Sequence, residues 1–473
     1  MSDKAHDPDF PERFLEFMRS GWQDTALDVA RHPAAARYAE RRQRISAAFP
    51  GETLIIPSGT EKVRANDTDY RFRPGSDLAW LTGAHDPDVV LVLRPVGGSH
   101  EATLYLRPRS PRDTDEFFRD RRHGELWIGR RPTLREAADE LGIATASLDG
   151  LADALDDCAP GRTQVLRGLD ATVDAGVRAR DDETLGQVLA ELRLVKDEWE
   201  IGQLREAIDA TVRGFEDVAR VLPADRPVRE RLLEGVFALR ARHDGNDVGY
   251  SSIVGGGPHG AILHWVRNEG LTRPGDLLLM DMGVEATSFY TADVTRTVPV
   301  AGAFTPLQRE VYDIVYRSQQ AGLDVVKPGV DFQDVHLTCM RVLAEGLRDL
   351  KVLPVSVDEA MDPECTFYRR WTLHGFGHML GLDVHDCAAS REEVYRKGTL
   401  EAGYVITVEP GLYFQPEDDL VPAELRGIGI RIEDDVLVTP EGPAVLSDGL
   451  PRTAADVERW LAAQRDAGQR LPG

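Results

Sequence analysis

The sequence predicts two domains: an α/β N-terminal domain, then an α+β domain whose antiparallel sheet follows an internal two-fold plan and is flanked by helices. Three observations carry this reading. The chain has 473 residues, too many for one ordinary core. Over 50–175, short β-branched and Leu-rich runs give way to helical stretches. Beyond 182, two strand pairs, each carrying two carboxylates, are bracketed by amphipathic helices.

Residues 1–50 are charged and Ala-rich and read as a surface-lying helical extension. Strands follow at 53–57, 88–94 and 102–107, each bounded by Gly, Pro or Asp. A helix is expected over 133–141, where Thr133 and Glu136 are spaced as a capping box. The polar stretch 176–184 is read as a boundary, which places the domains at 1–175 and 182–473. Asp197, three residues before Glu200, starts a long helix along which Ile201, Leu204, Ile208, Val212 and Phe215 recur on one face. Thr305-Pro306-Leu-Gln308 opens another, with Pro at its first position and Leu307, Val311, Ile314 and Val315 inward. The Lys327-Pro-Gly329 turn ends it, and a further helix runs over 331–350. Segments 277–283 and 288–300 flank a turn at 284–287 and read as a hairpin. Segments 404–414 and 427–439 read as a second antiparallel pair with a longer connection. A short amphipathic helix containing Val457, Trp460 and Leu461 closes the chain.

Composition narrows the function. With 42% apolar and 29% charged residues the chain has the balance of a soluble globular protein. Its 56 Lys and Arg stand against 80 Asp and Glu, a net charge of −24, which disfavours nucleic acid and anionic membrane surfaces as partners. The four cysteines, Cys158, Cys339, Cys365 and Cys387, form no CxxC pair, so neither a zinc knuckle nor a redox dithiol is expected, and a reducing compartment fits. Met-Ser-Asp-Lys-Ala-His-Asp has no apolar core behind it, and no run of about 18 apolar residues occurs. A cytoplasmic location is therefore expected.

Five residues carry the chemistry. Asp281 closes the apolar run Leu277-Leu-Leu-Met, and Asp293 lies on the other arm of that hairpin. Glu409 closes Val405-Ile-Thr-Val before Pro410-Gly411, and Glu433 follows Ile430-Arg-Ile. The fifth is His378 in His374-Gly-Phe-Gly-His378. A carboxylate ending a buried strand is costly unless paired, and four carboxylates with one imidazole suit two adjacent divalent cations. The structural alternatives are a turn acid at Asp281 and a surface salt-bridge ladder at Glu433. His374 and His378 are four apart, but Gly375, Gly377 and Gly381 argue against a zinc-protease helix and for backbone packed close to something. His385 extends the histidine cluster, and Arg431 could neutralise nearby carboxylates. Gly427-Ile-Gly429 is incomplete as a dinucleotide motif, and Gly255-Gly-Gly257 lacks the lysine of a phosphate loop.

These segments resemble the Xaa-Pro aminopeptidases (aminopeptidase P) of the pita-bread metallopeptidase family. The matching motifs are Ser252-Ile-Val-Gly, Ile262-Leu-His264, Asp281-Met-Gly, Ala292-Asp-Val-Thr-Arg-Thr297, His374-Gly-x-Gly-His378, Leu380-Gly-Leu-Asp-Val-His385-Asp, Val408-Glu-Pro-Gly-Leu-Tyr413 and Gly429-Ile-Arg-Ile-Glu433. The first domain matches more thinly, at Asp77-Leu-Ala-Trp-Leu-Thr-Gly83 and Gly124-Glu-Leu-Trp-Ile-Gly-Arg-Arg131; Ala79 departs from the aromatic often found there. The resemblance implies a pita-bread catalytic domain and an exopeptidase that releases the residue before a proline in second position. It implies two divalent metal ions, of which Mn²⁺ is the expected species, with Asp281 on one, His378 and Glu409 on the other, and Asp293 and Glu433 bridging. Glu409 would also move the proton. His264 and His385 would steady the reacting carbonyl, and His374, Tyr413 and Arg431 would surround the proline side. A homo-oligomer, dimer or tetramer, is expected. The rival within the fold is prolidase, which cuts only dipeptides; the Gly124–Arg131 segment favours aminopeptidase P. A metal-free creatinase-like hydrolase or peptide-binding module would have lost ligands that are all present here.

Overall fold

A computed structural model of the protein describes residues 9–159, 161–179, 181 and 183–468. The helix Thr184–Arg193 follows the polar stretch at 176–184, and two compact units divide at its end, between Leu192 and Arg193.

The first unit is built on a five-stranded mixed sheet in the order Ala144–Ser147, Ser99–Leu106, Val90–Val96, Thr53–Pro57, Thr163–Val165. Its inner strands are antiparallel and its two outer pairings parallel. Ile55, Val90, Val92 and Val165 pack with Leu151, Leu155 and Val173. Thr133 and Glu136 make the expected capping box at Leu134–Leu141. The N-terminal extension differs from the reading. It forms two helices, Glu12–Met18 and Ala35–Ala48, separated by irregular chain that includes His32-Pro33, where the residue before proline resists helix. Ala35–Ala48 is no surface helix either. Tyr38 and Ile45 are buried, and the buried Arg41 and Arg42 donate to the carbonyls of Trp80 and Leu81.

The second unit repeats one plan twice. A helix pair, Glu198–Val221 and Glu230–Asp244, precedes the antiparallel strands Ile253–Gly256, Leu277–Met282 and Val294–Pro299. A second pair, Pro306–Val325 and Phe332–Asp349, precedes Val405–Val408, Asp434–Thr439 and Gly442–Val445. This is the pseudo-two-fold antiparallel sheet with flanking helices that defines the pita-bread fold. Asp197 and Thr305 cap their helices with capping boxes, and Leu204, Ile208, Phe215, Val311, Ile314 and Val315 are buried as their spacing predicts. The two halves meet where the Glu433 amide donates to the Thr295 carbonyl at 3.1 Å.

Both hairpins are more broken than the alternation of residues implies. In the first, the second strand begins only at Val294, and the tip lies at Ala286–Phe289, not 284–287. The arms come closest at Gly283. A Cβ there would stand 1.7 Å from the Ala292 carbonyl oxygen, so the two arms approach more closely than a regular ladder allows. In the second, the ladder runs from Val405 to Val408 against Asp434 to Leu437, stops, and resumes at Gly411 to Tyr413 against Gly429 to Arg431. Pro410 has no N–H to donate, and Glu409 and Glu433 fall in the gap between the two ladders.

Candidate active site

The five carboxylate and imidazole residues converge, from five separate segments, on one cavity of about 890 Å³ in the second unit. Ligand atoms of Asp293, His378 and Glu433 lie within 4.8 Å of one another. His378 Nε2 is 3.2 Å from Asp293 Oδ2 and 3.5 Å from Glu409 Oε1. Its Nδ1 is 3.0 Å from the Met379 carbonyl, to which it donates, so Nε2 is the ring nitrogen turned toward the carboxylates. Asp281 completes the set of five, and Glu433 accepts from Thr295 Oγ1 at 2.6 Å.

His374 to His378 is irregular chain laid against the strand Val405–Val408, as the glycines suggest. The amide of Thr407 donates to the His378 carbonyl at 2.9 Å, the amide of His378 to Thr407 Oγ1 at 3.0 Å, and that of Glu409 to the Phe376 carbonyl at 2.7 Å. A Cβ on Gly377 would sit 2.0 Å from the Thr407 carbonyl oxygen, whereas one on Gly375 meets nothing nearer than 3.8 Å. Gly377→Ala is therefore expected to destabilise the fold by about 3 kcal/mol and displace His378, while Gly375→Ala is tolerated. Denaturant unfolding of the two variants side by side checks this; equal stability would mean the segment can shift freely.

Electrostatics explain why the cluster calls for cations. Burial pushes Asp281 above the usual carboxylate range, with Asp293 adding to the effect and Arg431 opposing it. Burial lifts Glu409 to about 7 and pushes Glu433 well above its ordinary value, in both cases helped by the other carboxylates. Burial works against a charged His378, but the hydrogen bond to Asp293 and the charge of Glu409 raise it to about 9. The buried Asp281, Asp293 and Glu433 and the half-buried Glu409 thus lie together beside the buried Arg431, and the donor set of hard oxygens and one imidazole fits divalent cations.

The other expected residues fall in different places. His264 and His385 are exposed on the cavity wall, and His385 stands edge-on to His378 at 4.4 Å between ring centroids. Next to His385, the buried Asp386 is held by Lys196 Nζ at 3.0 Å and by Arg193. Arg431 lines the cavity but its nitrogens are engaged: Nη2 with Asp281 Oδ2 at 2.5 Å, Nη1 with the Tyr413 hydroxyl at 2.8 Å, Nε with Thr295 Oγ1 at 3.1 Å. Tyr413 is not in the wall; it stands behind His374. Because its hydroxyl accepts from Arg431, it donates to His374 Nε2 at 2.7 Å. His374 therefore carries its proton on Nδ1, and burial and Arg431 lower it to about 3, so it is neutral. Nδ1 is buried with no hydrogen-bond partner among the described residues and lies 3.4 Å from Glu409 Oε2.

Sequence reasoning missed Tyr250, whose hydroxyl lies 2.6 Å from both Asp281 Oδ1 and Asp293 Oδ1. No local pattern around Val248-Gly-Tyr250 marks it. Asp434, the nearest alternative to Glu433, points away: it is taken by Arg296, Gln319 and Ser447 at 2.6–2.8 Å.

Fold and site together are those of a metallopeptidase. Residues 202–440 match the model of metallopeptidase family M24, and 38–166 match the aminopeptidase P N-terminal domain. The chain is 52% identical over 461 residues to Xaa-Pro aminopeptidase 1 of Streptomyces coelicolor, covering 96% of this chain and 93% of that one. It superposes on Escherichia coli aminopeptidase P with the inhibitor Pro-Leu at a TM-score of 0.83 and 32% identity, covering 92% of this chain and 100% of the other. On the zinc-substituted E. coli enzyme in complex with product the TM-score is 0.82, again at 32% identity, over 92% and 99% of the two chains. The chain belongs to the Xaa-Pro aminopeptidases of family M24.

Proposed function

We propose that this enzyme removes the N-terminal residue from peptides with proline in second position, using two divalent cations held by Asp281, Asp293, His378, Glu409 and Glu433. The observation that carries the reading is the convergence of those five side chains, from both halves of the fold, in one cavity. In the proposal Asp281 serves one cation, His378 and Glu409 the other, and Asp293 and Glu433 both. When bound, the cations would lower the pKa of a shared water and polarise the scissile carbonyl.

The chain's own residues supply the rest. Glu409, lifted to about 7, is suited to take a proton from that water and pass it to the departing proline nitrogen. His264 and His385 are exposed on the wall, free to donate to the carbonyl oxygen. His374 offers an unpartnered Nδ1–H to the substrate, held in that tautomer by Tyr413, while Arg431 balances Asp281. His385→Ala is expected to lower kcat at unchanged metal content, since the ring acts on substrate; loss of metal in proportion to rate, read by elemental analysis, would reassign it as a ligand.

The oxygen-rich donor set supports Mn²⁺ as the native metal. All four cysteines are free, which supports a reducing, cytoplasmic compartment, and among the described residues no helix is long and apolar enough to cross a membrane. Resemblance alone supports a homo-oligomer. The test of the whole reading is kcat/KM for a tripeptide such as Arg-Pro-Pro beside the dipeptide Ala-Pro. Cleavage of the tripeptide at its first bond, lost on N-terminal acetylation, is expected. Dipeptide cleavage with longer peptides untouched would make the enzyme a prolidase.

A further inference from the structure

The side chain of Glu230, at the first position of the helix Glu230–Asp244, is fully buried and lies outside the metal cluster. Its carboxylate accepts four hydrogen bonds, all from one loop. Oε1 takes the Gly256 amide at 3.0 Å and His259 Nδ1 at 2.7 Å; Oε2 takes Trp265 Nε1 and the Gly270 amide, both at 2.8 Å. An ionised carboxylate has about four acceptor positions, so this one is saturated. The loop it gathers, 256–270, carries Leu263, His264 and Val266 to the cavity wall. His259 stacks on Trp265 at 3.9 Å, and the buried Asn268 ties the far side of the loop to the Ser252 carbonyl and the Val254 amide. Trp265, the residue after His264, is thus fixed at one ring face and at its N–H. His264 itself is exposed and owes its place to this framework.

We infer that Glu230 is a positioning residue for the reaction: it orients His264 toward the substrate carbonyl without touching substrate or metal. The inference rests on the role of His264 in the proposed function. Glutamine in its place keeps the volume but replaces one acceptor oxygen by an NH₂ that confronts two N–H donors, leaving them unpaired.

The test is a double-mutant cycle of Glu230→Gln and His264→Ala on the full-length, metal-loaded enzyme, reading kcat, KM, Mn²⁺ content and unfolding midpoint. Glu230→Gln is expected to lower kcat by about tenfold or more, as for loss of a group that orients an active-site ligand, with metal content unchanged. The double variant is expected to be no slower than His264→Ala alone, because both changes remove the same contribution. Should Glu230→Gln fail to fold, Trp265→Phe removes one donor and keeps the ring on His259; it is expected to lower kcat and to be equally silent beside His264→Ala. Multiplicative losses, loss of metal in step with rate, or a wild-type kcat in these variants would overturn the inference. A wild-type rate for His264→Ala would instead reject that histidine's role in the proposed function, and this route with it.

Discussion

Stripping the protein with a chelator abolishes hydrolysis of Xaa-Pro peptides, and Mn²⁺ or Co²⁺ restores it. This is the expected result because burial raises Asp281, Glu409 and Glu433 above the ordinary carboxylate range, with Arg431 opposing the effect at each of them. A cation removes that conflict and provides the acidity the reaction needs. The reloading has a predictable pH dependence. His378 binds a metal only as neutral imidazole, yet in the metal-free protein Asp293 and Glu409 raise it to about 9. Protons therefore compete increasingly as pH falls, and the apparent affinity for Mn²⁺ is expected to be weaker at pH 6 than at pH 8. Full turnover in a preparation shown by elemental analysis to be metal-free would refute the dependence, and a pH-independent affinity would remove His378 from the ligand set.

Glu433→Gln is expected to cost more than about a hundredfold in turnover, above the 10–100-fold typical of outer-shell partners, because it would remove the charge proposed to bridge the cations. The substitution keeps the size of the side chain, and the amide oxygen can still accept from Thr295 Oγ1. The next acid in the chain is not placed to replace it. Asp434 is committed to Arg296, Gln319 and Ser447, and Asp435 Oδ2 accepts from the Asp293 amide at 3.2 Å. The measurement is kcat beside the number of metal ions bound per chain. Wild-type values for both would show that Glu433 is not a ligand.

What the amino-acid order reveals about this molecule depends on range. Asp281 and Glu409 stand out because an acid ends each of two apolar runs, and that contrast lies within five residues of sequence. Helix starts at Asp197 and Thr305 are equally local, since a capping box closes within four residues. The failures are all of longer range. The first hairpin turns at Ala286–Phe289, closed by the Ala286 amide on the Tyr290 carbonyl, while Gly283 lets the Ala292 carbonyl close in, contacts made across the hairpin. Ala35–Ala48 looks like a surface helix until Arg41 and Arg42 find the carbonyls of Trp80 and Leu81. Tyr250 bridges two aspartates 31 and 43 residues away, and Glu230 looks like any acid opening a helix. Arg431 could be guessed to neutralise carboxylates, but not that Tyr413 and Thr295 would occupy its remaining nitrogens.

The seam between the two halves of the sheet has a thermodynamic consequence. Asp281 and Asp293 belong to one half, His378, Glu409 and Glu433 to the other. Neither half alone presents all five of the proposed donors, so a cation held by them would bind only the joined pair and would act as a reversible cross-link between them. By mass action, ligand at a hundred times its dissociation constant adds about 2.7 kcal/mol to the stability of the form that binds it. Under the proposed ligand set the ions that drive the chemistry would also help keep the two halves together, so that scarcity of metal in the surroundings would act on the lifetime of the folded enzyme as well as on its rate.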